Sequence, residues 1–348
     1  MKKIICLFSS FIFFTISGCT FAENTKNAFS IVNWNVQTFF DGNNDGIEYS
    51  DFKKSEKWGT EAYKARLLKL CKAIKEINAD VFVFEEIENS GIIYDIANQL
   101  AGNSWSSKNC WNYAAFAKNP SDAIGCAVIS KLPLSNMTLH NLDVRSESEK
   151  QPSMRPIMKI ELSCGGKTFC LLVNHWKSKS GGSEKSEIWR KWQENVLYKQ
   201  FSENSHLPII SCGDFNKDIS EFELLCGADK TADAQRIVFR KPNLKLRKFC
   251  GSCGNTNTAE NNFIEVYSPW INEIGDFKEP GSYYYDSKWE RIDNFFANEN
   301  TIISAFKVLT DGEWCNADFI PKRYKIYNGE GFSDHLPIKC LIEAERNL

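Results

Sequence analysis

Six short runs of acidic, amide and histidine residues occur along this chain, and each follows or opens an apolar run. This is the pattern of a strand that delivers a polar side chain to its exposed end. Carboxylate oxygens bind Mg²⁺, Mn²⁺ or Ca²⁺, and histidine transfers protons near neutral pH. The set therefore predicts metal-assisted hydrolysis of a phosphodiester. The runs are Asn33-Trp34-Asn35-Val36, Glu85-Glu86-Ile87-Glu88-Asn89, Asn174-His175, Gly213-Asp214-Phe215-Asn216, Arg291-Ile292-Asp293 and Ser333-Asp334-His335-Leu336-Pro337.

Glu86 is the first candidate metal ligand. It ends the apolar run that begins at Val81. A carboxylate there cannot point into the core without a partner, because burying a charge is costly. We therefore expect Glu86 to bind a metal ion, with a solvated strand end as the structural alternative. Glu88 is expected to be a supporting or loop residue.

Two further runs supply groups that could handle the phosphate and its protons. Gly213 permits a close approach of the backbone before Asp214, and Asn216 can donate an amide N–H to a phosphate oxygen. Of the four histidines, only His175 and His335 fall within the six runs. A histidine that is hydrogen-bonded to a carboxylate can take a proton from water near neutral pH. Phosphodiester hydrolysis needs such a group together with a cation and a stabilised leaving oxygen.

Strands and helices must bring these residues together. Strand-like runs lie near 29–36, 80–87, 112–117, 123–131, 157–162, 168–175, 207–213, 291–297, 302–309 and 336–343. Helical patterns cover 60–77, 91–101 and 183–202, and Ser183 is the expected N-cap of the last. The stretch 217–282 has little pattern and is expected to form an insertion or long loops. Runs of strands separated by a few helices favour two sheets packed face to face with helices outside.

The six runs, in this order, resemble the endonuclease/exonuclease/phosphatase superfamily, in particular its DNase I-like members. The resemblance covers about residues 29 to 344, and the stretch 173–179 (Val-Asn-His-Trp-Lys-Ser-Lys) is similar to one in exported bacterial nucleases of that superfamily. The chain departs from the family at Glu85, where a glutamine is usual. An additional carboxylate there could tighten metal binding or change the preferred metal.

The resemblance implies a four-layer α/β/β/α sandwich of two packed mixed sheets, and it implies a role for each site residue. In the implied mechanism, Asp293 orients His335, which acts as general base or stabilises the phosphate, while His175 acts on the leaving oxygen. Arg155 matches a family arginine, whereas Lys177 could equally belong to a solvated loop. The implied catalytic residues are His335, His175, Asp293, Asp214 and Asn216. The implied metal ligands are Glu86, Asn35 and Asp334, for Mg²⁺ or alternatively Mn²⁺ or Ca²⁺. The implied substrate contacts are Arg155, Lys177 and Arg291.

The N-terminus has the features of an export signal. Lys2 and Lys3 precede an apolar stretch from Ile4 to Ile16, which is shorter than the roughly 20 residues that span a bilayer. The run Ile-Ser-Gly-Cys that ends at Cys19 resembles a bacterial lipobox, so we expect Cys19 to carry lipid. Ordinary cleaved secretion and a retained anchor are the alternatives. The predicted organisation is a signal peptide at 1–18, a tether at 19–28 and a single domain at 29–348.

Composition limits the function and the redox state. The formal net charge of −2 provides no global basic field, which argues against a protein that coats nucleic acid. Thirteen cysteines fit an oxidising compartment, so we expect disulfides. Five cysteines lie inside apolar runs and could instead be core residues: Cys71, Cys126, Cys170, Cys212 and Cys340. For Cys250 and Cys253 a loop disulfide, or pairing with Cys226, is favoured over zinc or redox chemistry.

These observations together favour a monomeric nuclease that cleaves DNA or RNA and is attached by lipid to a bacterial membrane, in the periplasm or at the cell surface. Phosphatases of inositol phosphates and phosphodiesterases of sphingomyelin-type lipids share the same implied core residues and form one alternative. A non-catalytic surface lipoprotein forms another, although every implied metal and histidine position is intact. The aromatic residues Tyr283, Tyr284, Tyr285 and Trp289 could stack on bases or belong to the core.

Overall fold

The computed structural model describes residues 13–15, 27–102, 110–144, 151–180, 182–224, 236–240, 263–272, 276–278 and 280–343. The strands are β1 Phe13–Thr15, β2 Ala28–Phe39, β3 Val81–Ile87, β4 Tyr113–Ala117, β5 Gly125–Ser130, β6 Leu134–His140, β7 Ile157–Cys164, β8 Lys167–His175, β9 Ile209–Asp214, β10 Glu223–Leu224, β11 Arg236–Arg240, β12 Phe263–Tyr267, β13 Tyr283–Tyr285, β14 Lys288–Glu290, β15 Asp293–Ala297, β16 Ile302–Val308 and β17 Ile338–Glu343. The helices are α1 Ser50–Lys53, α2 Thr60–Ile77, α3 Ser90–Ala101 and α4 Ser183–Glu203, with a 3₁₀ turn at Ile219–Glu221.

Two large mixed sheets form the body of the protein. The first has the strand order β1-β4-β5-β3-β2-β17-β16, and the second has the order β10-β11-β12-β15-β9-β8-β7-β6. Each sheet contains one parallel pair, β2 with β3 and β8 with β9. The remaining pairs are antiparallel, and β13 and β14 form a separate hairpin. A parallel pair requires a crossover connection, which α2 and α4 provide here.

The sheets pack face to face because both present continuous apolar faces to each other. β2 and β3 contact β9, and β5 contacts β8, across a dry interior. Phe29 and Phe169 illustrate this packing, with ring centroids 5.1 Å apart and planes nearly perpendicular. Helices α2 and α3 cover the first sheet, and α4 packs on the second. The predicted four-layer α/β/β/α architecture is confirmed.

All ten predicted strands and all three predicted helices are present, with small shifts at their ends. One expected cap is wrong, because Gly182 rather than Ser183 precedes the first turn of α4. The stretch 217–282 is expected to form an insertion or long loops, and its described parts include three short strands, β10, β11 and β12, which extend the second sheet. These strands are two to five residues long, so each carries only a short apolar pattern that the sequence does not reveal.

The described cysteines can be compared with the prediction of disulfides. The free thiols among the described cysteines include Cys71, Cys126, Cys170, Cys212, Cys315 and Cys340. Five of them are the predicted core cysteines, and all five are buried. The expected disulfides are not found among these described cysteines. Cys19, Cys226, Cys250 and Cys253 lie outside the described residues. Within the residues described, no helix is both long and apolar enough to cross a bilayer.

Candidate active site

The strand ends that carry the predicted residues meet at one edge of the sandwich and form the floor of a cleft of about 1490 Å³. Asn35 and Glu86 come from the parallel pair of the first sheet, and His175 and Asp214 come from the parallel pair of the second. Eight predicted site residues line the cleft: Glu86, Arg155, His175, Lys177, Asp214, Asn216, Asp334 and His335. Asn35 and Asp293 are buried in its floor, each about 1% exposed.

Asp293 and His335 form a buried hydrogen-bonded pair. The Nδ1 atom of His335 lies 2.8 Å from the Oδ2 atom of Asp293. Burial opposes protonation of His335, but the carboxylates of Asp293, Asp214 and Asp334 outweigh it and raise the pKa of the imidazole well above its ordinary value. The other oxygen of Asp293, Oδ1, has no hydrogen-bond partner among the described residues. The geometry therefore favours an imidazolium whose Nε2 edge faces the cleft.

The carboxylates of Glu86 and Asp214 lie close to the same two side chains, those of Asn35 and His175. The Asn35 Nδ2 group donates to Glu86 Oε1 at 3.2 Å and to Asp214 Oδ2 at 3.0 Å. The Nε2 atom of His175 lies 3.9 Å from Glu86 Oε1 and 3.7 Å from Asp214 Oδ2. Burial raises the pKa of Asp214 to about 7, with His335 opposing and Asp293 adding to that rise. Burial, together with the positive charges of Arg155 and His335, holds the pKa of His175 well below its ordinary value.

A bulge in β2 presents a backbone donor to the carboxylate of Glu86. Asn35 pairs with Glu85 and Phe39 pairs with Ile87, so three residues of β2 stand opposite one residue of β3. Gln37 and Thr38 have φ values of 51° and 43°. The Thr38 N–H donates to Glu86 Oε2 at 2.5 Å. The bulge therefore fixes the carboxylate of Glu86 from the side opposite Asn35.

The buried Arg66 of α2 caps this bulge, and sequence reasoning missed it. Its guanidinium donates to the carbonyl oxygens of Val36 (2.8 Å), Thr38 (3.0 Å) and Gln37. The ring of Tyr324 lies 3.7 Å from its central carbon. Burial lowers the pKa of Arg66 to about 9. An arginine on the apolar stripe of an amphipathic helix is the sequence signal that could have revealed it, because such a charge needs buried partners.

The residues around Asp214 depend on a close backbone contact. Gly213 has a φ of 146°, and a Cβ atom there would overlap the carbonyl of Asn174. The close approach expected from this glycine is therefore observed. Beyond it, Asn216 donates its backbone N–H to Asp214 Oδ1 at 2.8 Å and its side-chain Nδ2 to the carbonyl of Trp176 at 3.2 Å. Asn216 thus holds Asp214 in place as well as lining the cleft.

Glu85, the departure from the family pattern, does not face the cleft. Its side chain is fully buried between the sheets, and Asn33 Nδ2 donates to its Oε2 atom at 3.4 Å. Burial, followed by repulsion from Asp293 and Asp214, raises the pKa of Glu85 well above its ordinary value. Glu85 therefore lies beneath the site, where its surroundings favour the protonated form, and does not provide an additional oxygen in the cleft.

Of the three predicted substrate-binding cations, Arg155 and Lys177 lie at the cleft and Arg291 does not. Arg155 lies in the cleft wall, with its Nη1 atom 3.4 Å from the carbonyl of Trp176, and Lys177 lines the same wall. The structure does not bring Arg291 to the cleft, because its Nε atom donates to the carbonyl of Lys278 at 2.9 Å. Arg323, which sequence reasoning missed, approaches Asp334 at 3.9 Å.

The donor set fits a divalent cation with a preference for oxygen. Glu86, Asp214 and Asp334 line one cleft, and the first two already share a single donor, the amide of Asn35. Two convergent carboxylates with one neutral donor between them lack compensating charge, which Mg²⁺, Mn²⁺ or Ca²⁺ would supply. The ligand atoms of Asp214, Asp293 and His335 also lie within 4.8 Å of one another, but Asp293 and His335 already bind each other.

Solved structures with a similar fold are known. Human nocturnin, whose catalytic domain was solved with a bound sulfate anion, is 14% identical with a TM-score of 0.52, covering 92% of this chain and 96% of that one. TDP2 of D. rerio, complexed with single strand DNA product, is 14% identical with a TM-score of 0.52, covering 91% and 100%. ANGEL2, a 2',3'-cyclic phosphatase in complex with adenosine-2',3'-vanadate, is 16% identical with a TM-score of 0.54, covering 97% and 99%. At these identities the likeness shows the fold.

Sequence comparison identifies the family directly. A search of curated proteins finds no match. A scan against protein families matches residues 30–247, more than half of the chain, to the Endonuclease/Exonuclease/phosphatase family. This match confirms the predicted superfamily and the predicted enzyme class, that of the metal-dependent phosphodiesterases. The chain therefore belongs to the endonuclease/exonuclease/phosphatase family.

Proposed function

We propose that this protein is a divalent-metal-dependent nuclease that hydrolyses phosphodiester bonds of DNA or RNA outside the cytoplasm. The observation that carries the proposal is the convergence, in one cleft, of two carboxylates with a carboxylate-bound histidine. Glu86 and Asp214 share the amide of Asn35, while His335 is held by Asp293 at 2.8 Å. A cation site, a proton acceptor for the attacking water and a group that stabilises the leaving oxygen are the three requirements of this reaction.

Glu86, Asp334 and Asn35 are the residues proposed to hold the ion, with Mg²⁺ as the first choice and Mn²⁺ or Ca²⁺ as alternatives. When bound, the ion neutralises charge on the phosphate. Asp214, whose pKa is about 7, accepts a proton from the attacking water near neutral pH. Asn216 orients Asp214 through its backbone N–H.

His335 and His175 have different proposed roles, one at a non-bridging phosphate oxygen and the other at the leaving oxygen. His335, whose pKa is raised by Asp293, carries a positive charge and donates from Nε2 to a non-bridging phosphate oxygen. Of the two roles expected for His335, phosphate stabilisation thus fits its charge better than proton abstraction. His175, whose pKa is depressed by burial, is neutral and stabilises the leaving oxygen as a hydrogen-bond donor. Arg155 and Lys177 supply further positive charge along the wall of the cleft.

The nucleic-acid substrate is supported by two relatives in fold. TDP2 of D. rerio was crystallised with a single strand DNA product, and ANGEL2 with adenosine-2',3'-vanadate. Both ligands contain nucleosides, and we extend this substrate chemistry to the present chain as part of the proposal. Export and attachment through lipid on Cys19 rest on the N-terminal sequence alone, and a monomer is proposed with them.

The test uses the full-length protein with plasmid DNA, RNA, sphingomyelin and inositol phosphates, each with Mg²⁺, Mn²⁺, Ca²⁺ or EDTA. His335→Ala is the inactive variant, and His206→Ala is the matched control because His206 is exposed and outside the cleft lining. We expect DNA or RNA cleavage that requires metal and is lost only in His335→Ala. Cleavage of the lipid or inositol phosphate alone would replace the nuclease by the alternative phosphoesterase. Inactivity of the folded protein on every substrate would favour a binding lipoprotein.

A further inference from the structure

The rim of the cleft carries an unusual concentration of exposed large side chains. Among the described residues, eight large hydrophobic side chains are exposed, and four of them line this one cleft. Single exposed apolar residues are ordinary, whereas a group around a cleft marks a surface that meets a ligand. The four are Ile47, Tyr49, Tyr285 and Tyr327.

Tyr285 ends a series of rings that begins at the catalytic histidine. The ring of Tyr283 lies 4.7 Å from the imidazole of His335, and the ring of Tyr285 lies 6.3 Å from that of Tyr283 with planes only 10° apart. Because side chains alternate along a strand, Tyr284 faces the other way and packs on Trp289. The ring of Tyr285 is 62% exposed, so its position next to the reaction centre serves no core packing.

The hairpin that presents Tyr285 is rigidly built. Its two turn residues, Asp286 and Ser287, have φ values of 48° and 62°, as expected for the type I′ turn that matches the twist of a two-residue hairpin. Tyr283 also forms an isolated bridge with His335, which attaches the hairpin to the catalytic segment. Because the hairpin fixes the position of Tyr285, a planar group can stack on its ring with little loss of side-chain conformational entropy.

The other two tyrosines come from different walls of the cleft. Tyr49 lies between β2 and α1, where its ring meets the edge of Phe40 at 5.5 Å, and it is 42% exposed. Tyr327 lies in the segment between β16 and β17 and is 67% exposed. The three rings therefore border the same cleft from three separate segments, as successive stacking sites would.

The charges of the cleft do not favour a duplex. Besides its two histidines, its described lining contains six lysine or arginine residues and six aspartate or glutamate residues. Lys179 pairs with Glu221 at 2.9 Å and with Glu290 at 3.1 Å. Lys325 pairs with Glu330 at 3.6 Å. Recognition of double-stranded DNA relies on unpaired cations along two phosphate backbones, whereas single-stranded binding can rely on base stacking.

We propose that Tyr285, Tyr327 and Tyr49 are stacking platforms for unpaired bases, so that the cleft takes single-stranded nucleic acid in preference to duplex. This inference rests on the proposed nuclease function. A duplex keeps its bases stacked on one another and offers these rings nothing to bind. A single strand can place its bases on the rings while one of its phosphates reaches His335.

The experiment compares Tyr285→Ala, Tyr327→Ala and Tyr49→Ala in the full-length protein. Tyr285→Phe keeps the ring, and Tyr94→Ala is the matched control because Tyr94 is 51% exposed on α3 and lies outside the cleft lining. The substrates are a single-stranded oligonucleotide, the same sequence as a duplex, and an oligomer of equal length built from abasic units. KM and kcat are measured for each.

We expect the parent protein to favour the single strand over the duplex by at least about tenfold in kcat/KM. Each tyrosine-to-alanine change raises KM for the single strand roughly tenfold relative to KM for the abasic oligomer, the scale of one lost stacking contact. Tyr285→Phe and Tyr94→Ala should match the parent. Equal cleavage of single strand and duplex, or tyrosine variants that match Tyr94→Ala, would overturn the stacking inference alone. Failure of the parent protein to cleave any of the three substrates with metal would instead overturn the proposed function.

Discussion

The pKa values of the two histidines of the cleft are shifted in opposite directions although both side chains are buried. His335 is bound to a carboxylate at 2.8 Å, so its imidazolium is stabilised. No hydrogen-bond partner is found for Nδ1 of His175 within the described residues, and nearby positive charge further disfavours its protonation. The same residue type can therefore bind an anionic phosphate oxygen at one position and donate a neutral hydrogen bond at another.

The pair of Asp293 and His335 makes a prediction about stability. Because the folded pKa of His335 lies above its unfolded value, the stabilisation is fully present below about pH 6.5 and is lost as the pH rises through the folded pKa. Asp293→Asn should therefore lower the free energy of unfolding by about 3 kcal/mol at pH 6, and by less at pH 9. Urea denaturation at the two pH values measures this difference. Asp311→Asn, which breaks an exposed pair with Lys307, should cost under about 1 kcal/mol.

Asp214 makes a second prediction, about the pH dependence of hydrolysis. In the proposed function Asp214 accepts the proton of the attacking water, and its pKa is about 7. We expect kcat to increase as the pH rises from about 6 to about 8, by up to tenfold per unit below that pKa, because only the carboxylate form can accept the proton. Initial rates with a saturating oligonucleotide across this pH range measure the slope. Asp214→Asn should lose most of the activity and the pH dependence, whereas an unchanged slope in that variant would assign the proton to another group.

At the scale of elements, the bulge in β2 connects α2 to the carboxylate of Glu86. Arg66 fixes the carbonyls of the bulge, and the bulge donates Thr38 N–H to Glu86. Gln37 in turn bonds the backbone of Tyr324, in the segment that leads to Asp334 and His335. A helix on the outside of the sandwich thereby positions groups on both sides of the cleft.

Arg66→Met tests this connection, and Leu70→Ala on the same helix is its control. Leu70→Ala removes buried core atoms and should lower the free energy of unfolding by about 2–5 kcal/mol without weakening Mn²⁺ binding. Arg66→Met should reduce the affinity for Mn²⁺ at least about tenfold, since a contact worth about 1.4 kcal/mol in placing Glu86 corresponds to that factor. Calorimetry and urea denaturation on both variants separate the two effects. Equal Mn²⁺ affinity in the two variants would reduce Arg66 to a structural role.

The sequence predicts elements better than it predicts their irregularities. Buried strands such as β3 and β8 carry continuous apolar runs, so both they and their terminal polar residues could be located. β6 was missed because most of its residues are exposed or half-buried and its pattern is correspondingly weak. The bulge at Gln37 and Thr38 could not be predicted, because it exists only through the pairing of β2 with β3. Arg291 was predicted to be a site residue because it lies close to Asp293 in the sequence. It precedes β15, however, and its guanidinium is directed towards the carbonyl of Lys278.

At the scale of the whole molecule, each sheet contributes half of the site. The parallel pair of the first sheet supplies Asn35 and Glu86, and that of the second supplies His175 and Asp214. The site therefore forms only when the sheets pack against each other. Sequence reasoning found the members because each ends an apolar run, but their mutual distances depend on the packing of two sheets and could not be derived.

The charge balance of the whole molecule predicts a weak salt dependence. The net charge is −2, and several basic residues of the cleft are paired with acids. We expect log(kcat/KM) for an oligonucleotide to fall with log[salt] with a slope of magnitude below about 2, corresponding to one or two phosphate contacts. Initial rates at subsaturating substrate between about 50 and 200 mM salt give the slope. A slope of magnitude near 6 would indicate an extended phosphate-binding surface.

The position of β17 has a consequence for the order of folding. This strand lies between β2 and β16, and its residue Ile338 pairs with Asn33 of β2, far away in the sequence. Joining strands so distant in sequence closes a long loop, which costs chain entropy and slows folding. Asp334 and His335 lie shortly before β17, so the imidazole of His335 is placed only once this long-range pairing has formed. A partly folded chain without that pairing therefore has no complete site.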